Sequence, residues 1–297
     1  MSRRILWLAW AKDGLQALGA AVGSVWREGF SHAGNLAYLA LLTLLPFFVL
    51  VAAAAGALGR TGMGARFVGT VLSALPPDVS ALLEAPAREV IERPASGSVV
   101  TLGVLLVLWT VSSYAEAVRD IIRRAHGAAP TQPIWRYRLL SLLVVLGGVL
   151  LMLLALAAQV VLTGIETFML RLLPMGAERV AELGLNRLLP AALLFAGLAL
   201  ALFGLTPSRL RRPHWLWPGA LLVTAWWVGA TMAMPILFAQ FMGASIAYGS
   251  LGGVIVTLLY FWVLGLGLVF GTHFNAALAK AGQTRLKPGS ETTGWIG

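Results

Sequence analysis

Glu116, Arg119, Asp120, Arg123 and Arg124 stand at the end of an apolar run that begins near Ser98. Glu116 with Arg119, and Asp120 with Arg123 or Arg124, have the three- and four-residue spacings at which helical side chains meet. Such a set can form a gate or a headgroup-binding mouth, and it can equally be a helix end whose charges pair and reach water. His273 and Asn275 close a second long apolar run, where an imidazole can titrate during a transport cycle or simply bond a neighbouring loop. Tyr248, Gly249, Ser250, Gly252 and Gly253 open that run, and Pro46 interrupts another. Proline removes a helical ladder bond and glycines let backbones approach, as moving transporter helices require and static bundles also tolerate. Pro46, Glu116, Arg119, Asp120, Tyr248, Gly249, Ser250, Gly252, Gly253, His273 and Asn275 are therefore the candidate conduit or gate residues. Arg123, Arg124, Arg209, Arg211 and Arg212 are the candidate headgroup-binding residues. The same arginines also serve as topology determinants.

Other chemistry is poorly supplied. The four histidines, His32, His126, His214 and His273, are separated, and no His-x-His or Asp-x-Asp element exists. Metal-assisted hydrolysis needs clustered His, Asp and Glu ligands, so neither a metal nor a nuclease is expected. There is no cysteine and no Walker A sequence, which removes thiolate chemistry and P-loop ATP hydrolysis. The expectation is a protein without a cofactor and without enzymatic activity.

The elements that must position these residues follow from composition. Hydrophobic residues make up 59% of the chain, charged residues 11%, and the mean hydropathy is +0.83. An ordinary soluble domain carries about 25% charged residues, so the chain reads as an all-α polytopic membrane protein. Six apolar runs suit helices crossing ~30 Å of hydrocarbon, at about 35–57, 98–115, 139–165, 188–205, 216–239 and 246–272. They form a membrane domain over 35–280. Between the first two lies an outer loop, 58–97, in which Pro76, Pro77 and Asp78 predict a helix start. Residues 281–297 read as a flexible tail. Within 1–34, Leu15, Leu18, Val22, Val25, Trp26 and Phe30 recur at helical spacing with polar residues between them, which predicts an amphipathic interfacial helix.

Basic residues decide the orientation. The N-terminal segment, the loops 116–138 and 206–215 and the C-terminal tail hold 15 of the 22 Lys and Arg; the other loops hold 7. The positive-inside rule puts both termini in the cytoplasm. The net charge of +10 is thereby an orientation signal, and a nucleic-acid partner is not expected.

Four segments resemble the YihY family of bacterial inner-membrane proteins, also called the virulence factor BrkB family. They are Leu36-Ala37-Tyr38 through Pro46; Leu108-Trp109-Thr110 into the charged helix to His126; Thr206-Pro207 through the arginines to Trp217-Pro218-Gly219-Ala220; and Ala247 through Ile255, closing with Gly271 to Ala276. The order and spacing hold from Ser31 to Lys280. The family usually has a glutamate where this chain has His273, and often an asparagine in place of His126. The resemblance implies a six-helix inner-membrane protein with roles in envelope integrity and in movement of lipid-like molecules, and it carries an older ribonuclease label. Apolar spans broken by Pro and Gly and ringed by Arg favour a transporter or flippase-like protein for a lipid or other amphiphile, with membrane lipids as partners. The rival is a non-transporting scaffold that supports the envelope through protein partners.

Overall fold

The computed structural model describes residues 3–58, 97–128, 138–144, 185–207, 213–248 and 251–286, with isolated positions besides. Among the described residues every regular element is helical. The elements are α1 (Arg3–Ser24), a π-helical turn (Val25–Gly29), α2 (Phe30–Leu58), α3 (Gly97–His126), α4 (Leu185–Leu205), α5 (Pro213–Tyr248) and α6 (Leu251–Leu286). Three stretches are long and apolar enough to cross a membrane: Thr101–His126, Leu216–Ile236 and Gly252–Gly282. Pro190–Leu205 is a shorter apolar helix. Most of 139–165, nearly all of the loop 58–97, and residues 287–297 lie outside the described residues.

Burial along α3 shows why this composition suits lipid. Leu102, Leu105, Leu106, Leu108 and Trp109 are exposed, whereas Ala115, Val118, Ile121, Ile122 and Ala125 are buried beside the charged end. A continuous exposed apolar band of this kind is costly in water and natural against hydrocarbon. The helix ends on a left-handed glycine, Gly127 at φ 68°. Its N–H donates to the Arg124 carbonyl and the Ala128 N–H to that of Arg123, each at 2.9 Å. This Schellman arrangement satisfies two terminal carbonyls. Arg123, Arg124 and His126 in the last turn also offset the negative end of the helix dipole.

Hydroxyls within the helices mostly turn back on their own backbone. Thr43, Thr110, Ser113, Thr206, Thr224 and Thr257 each donate to the carbonyl four residues earlier, at 2.6–2.9 Å. A hydroxyl so engaged needs no partner from water or from another helix.

The chain divides into two compact units. Unit one comprises Met1–Gly29, Arg119–Val228 and Gly267–Gly297; unit two comprises Phe30–Val118 and Gly229–Leu266. In unit two α2 presents Ala33, Leu36 and Ala37 as a buried small-residue face. A Cβ on Gly265 of α6 would stand 3.1 Å from the Ala33 carbonyl oxygen. Phe30 stacks on Trp262 at 5.7 Å between centroids.

The two ends of the chain add detail to the sequence reading. On α1 the buried positions are Ala17 and Ala21, continued by Val25, whereas Leu15 and Trp26 are 71% and 76% exposed and Val22 is exposed too. The long apolar side chains point outward because alanines allow the close approach to neighbouring helices. The π-helical turn, which the periodicity does not anticipate, adds a residue per turn just before α2. At the other end, α6 continues through Ala281 to Leu286, inside the segment expected to be a flexible tail. Ala, Gln, Arg and Leu there are good helix formers.

Candidate functional site

Two cavities are described, one in each unit. In unit one a cavity of about 250 Å³ is lined by Gln16, Ala17, Ala20 and Ser24 of α1, Ala125 of α3, and His273, Ala277, Lys280 and Ala281 of α6. Gln16, Ala20 and Ser24 are four residues apart, as are His273, Ala277 and Ala281. Each set is therefore one helical stripe with alanine at its centre. The alanines leave the space and the ends supply polar groups. Ser24 Oγ donates to the Ala20 carbonyl at 3.0 Å.

In unit two a cavity of about 220 Å³ is lined by Ala40, Thr43 and Leu44 of α2, Val111 and Tyr114 of α3, and Phe261 of α6. Thr43 is engaged with the Leu39 carbonyl at 2.7 Å. Tyr114 makes no hydrogen bond among the described residues, and it is the second hydroxyl-bearing side chain of this lining.

The candidate gate residues fall in different places. Asp120 pairs with Arg123 at 2.8 Å and with Arg124 at 2.6 Å, making a short charged network on the last turns of α3. Arg119 is 2% exposed and held by further interactions of its own. Glu116 is half-buried in the unit-two part of the helix. His126 Nδ1 bonds the Ile122 carbonyl at 2.8 Å, which occupies one ring nitrogen. Pro46 is half-buried within α2, where it cannot donate to the Leu42 carbonyl. Tyr248 is the last described residue of α5, and Gly252 and Gly253 lie in the first turn of α6. Gly249, Ser250, Arg209, Arg211 and Arg212 lie outside the described residues.

Asn275 lines neither of these two cavities. It is 3% exposed; its Oδ1 accepts from the Gly219 N–H at 2.7 Å and its Nδ2 donates to the Leu216 carbonyl at 3.0 Å. Between these positions stands Pro218, which has no N–H to give the carbonyl of His214. Asn275 thus reaches from α6 to α5 on both sides of the proline. A Cβ on Gly219 would collide with the Asn275 amide, and one on Gly271 would meet Val223 and lie 2.8 Å from the Gly219 carbonyl oxygen. Gly267 packs the same way against the Trp226 ring. The spacing of Gly267 and Gly271 predicts a close crossing, and the structure supplies its partner, α5. Two of the four resembling segments, Trp217–Ala220 and Gly271–Ala276, are therefore the halves of one joint.

Sequence reasoning missed Gln16, Ser24, Lys280 and Tyr114. The stripes around Gln16 and His273 were readable as helical spacing, but only packing places them on one cavity. For Tyr114 the sequence holds no distinguishing signal.

Among the described residues these features are those of a helical membrane protein with a tightly joined α5–α6 pair. The family model described as virulence factor BrkB matches residues 23–294, and the chain belongs to that family. The chain is also 25% identical over 256 residues to a protein of Bacillus subtilis (strain 168), YfkH, whose name bears a ribonuclease-like label; the match covers 86% of this chain and 91% of that one. No solved structure matches. Among the described residues, no three His, Asp or Glu side chains gather as a group able to hold a metal ion.

Proposed function

We propose that this chain is a transporter or flippase-like protein of the bacterial inner membrane, moving a lipid or other amphiphile without acting as an enzyme. The observation that carries this reading is the unit-two cavity. It is an open recess lined mainly by apolar side chains of α2, α3 and α6, together with Tyr114, whose hydroxyl has no partner among the described residues. An apolar space with one donor suits a hydrocarbon chain next to an ester or similar polar atom, which is the make-up of an amphiphile. The proline in α2 lies two positions beyond Leu44 of that cavity. The excess of basic residues in the N-terminal segment, the loops 116–138 and 206–215 and the tail supports both termini in the cytoplasm. The ribonuclease-like name of the Bacillus relative is not adopted, because RNA hydrolysis by a metal needs ligands that converge.

The test is lipid movement in proteoliposomes of purified protein, with headgroup-labelled lipids and an impermeant quencher. Movement faster than in empty vesicles is expected. It should be reduced by Tyr114→Phe, which deletes the donor, and by Ala40→Leu, which fills the cavity, while both variants stay folded. Because Tyr114 bonds no described group, Tyr114→Phe should leave thermal stability nearly unchanged. No movement with or without a proton gradient overturns the reading and favours the scaffold, whose protein partners would then be sought.

A further inference from the structure

We infer that the amphiphile taken by the unit-two recess has an uncharged head that carries free hydroxyl groups. The inference rests on the transport reading and names the class of molecule which that reading leaves open. Its ground is the lining: Ala40, Thr43, Leu44, Val111, Tyr114 and Phe261 bring no carboxylate, ammonium, guanidinium or imidazole. A phosphate or a quaternary amine entering such a lining gives up water and gains no counter-charge, at a far greater cost than a neutral polar group meets. Two of the arginines expected at a headgroup are engaged elsewhere, since Arg123 and Arg124 pair with Asp120 in unit one.

The two hydroxyls then set what the neutral head must offer. Thr43 Oγ1 gives its proton to the Leu39 carbonyl at 2.7 Å, so toward a ligand it can only accept. Tyr114, whose hydroxyl bonds no described group, can donate. One acceptor and one donor match a group that itself both gives and accepts a hydrogen bond, as an alcohol does. A phosphocholine head has no proton to give. The recess, at about 220 Å³, is smaller than the ~300–1,000 Å³ of pockets that enclose drug-sized ligands. It therefore takes a polar group with the carbons beside it and leaves the rest of the chains in the bilayer.

The test uses proteoliposomes of the full chain, each holding one of three lipids labelled on an acyl chain so that the head is unaltered. Monoglucosyl diacylglycerol is neutral and has hydroxyls; phosphatidylglycerol has hydroxyls and a negative charge; phosphatidylcholine has a zwitterionic head and no hydroxyl. An impermeant quencher reads movement above that in empty vesicles. The glucosyl lipid should move about tenfold faster, or more, than either phospholipid. Thr43→Val and Tyr114→Phe should each lower its rate several-fold and narrow its lead, and Val111→Lys, which adds a cation to the lining, should shift the preference toward phosphatidylglycerol. Thermal unfolding shows that the variants are folded. In a second arm, purified protein is incubated with vesicles of all three lipids, and the glucosyl lipid should be enriched in what it retains after repurification. Equal movement of the three lipids, or a lead for phosphatidylglycerol in the unmodified protein, overturns the inference and leaves the transport reading standing. No movement of any lipid overturns the transport reading; the retained lipid then decides the ligand class, and lack of enrichment of the glucosyl lipid overturns the inference as well.

Discussion

Unit one and unit two are both helical and both contain a small cavity, yet they are held together by different chemistry. In unit one α5 and α6 meet backbone to backbone at Gly219 and Gly271, and Asn275 bonds across the joint. The charged turn of α3 adds the Asp120–Arg123–Arg124 network. In unit two the contacts are the Phe30–Trp262 stack, a looser approach of Gly265 to the Ala33 backbone, and a marginal 3.3 Å contact between the Thr231 and Tyr260 hydroxyls. The lesson is that polar cross-links accompany the closest approach. Two backbones can come that near only where side chains are absent, and the polar groups thereby buried must be satisfied from within.

Pairing two glycine substitutions gives the largest effect and the most direct way to break this contrast. In unit one, Gly271→Ala would force a Cβ against the Gly219 carbonyl and Val223, neither of which is the free end of a flexible chain. In unit two, Gly265→Ala meets the Ala33 carbonyl at 3.1 Å and asks for a shift of a few tenths of an ångström. Overpacking of this kind costs about 1–3 kcal/mol, and the upper end is expected for Gly271→Ala. Thermal unfolding in detergent should rank it well below Gly265→Ala. Equal losses would mean that the two approaches are equally adaptable.

Next in size is the bridge itself. Asn275→Ala leaves the Gly219 N–H and the Leu216 carbonyl buried without their partner, at a cost of about 1–3 kcal/mol. Asn275→Asp retains an acceptor for Gly219 but has no donor for Leu216, and as a buried carboxylate it should be no better than Ala at neutral pH. If Asp restores full stability, the Leu216 bond contributes little and the contrast rests on packing alone.

The smallest effect belongs to the α3 network. Asp120 and Arg124 are substantially exposed, and pairs at helical spacing near a surface contribute little. Asp120→Asn should lower the unfolding temperature only slightly, with the difference shrinking as salt is raised. A large, salt-independent loss would show that this turn is part of the packed structure of unit one.

Of the candidate site, the sequence made the parts legible but not their grouping. The charge spacing on α3 correctly anticipates the Asp120 pairs, since partners three and four residues apart are fixed by helix geometry alone. Asn275 is singled out by its position after an apolar run, yet its role is visible only through residues 56 and 59 positions earlier. His273 is singled out the same way, and its neighbours Gln16 and Lys280 are not, because each is an unremarkable polar residue on an otherwise small-residue stripe. On α1 most of the large apolar residues at helical spacing are exposed, as an interfacial face would be, and Ala17 and Ala21 are buried. Large and small apolar residues both repeat at helical spacing, and hydropathy cannot say which stripe faces protein and which faces lipid.

The sequence by itself determined the class of protein, the apolar stretches suited to a membrane and the family, because hydropathy and local spacing are properties of continuous segments. Tertiary structure alone decided that Gly219 and Gly271 face one another, that Asn275 bonds Leu216 and Gly219 on either side of Pro218, and that Tyr114 and Lys280 line cavities. These depend on how helices distant in the chain pack, and packing is settled by the shapes of side chains that a linear pattern does not bring together.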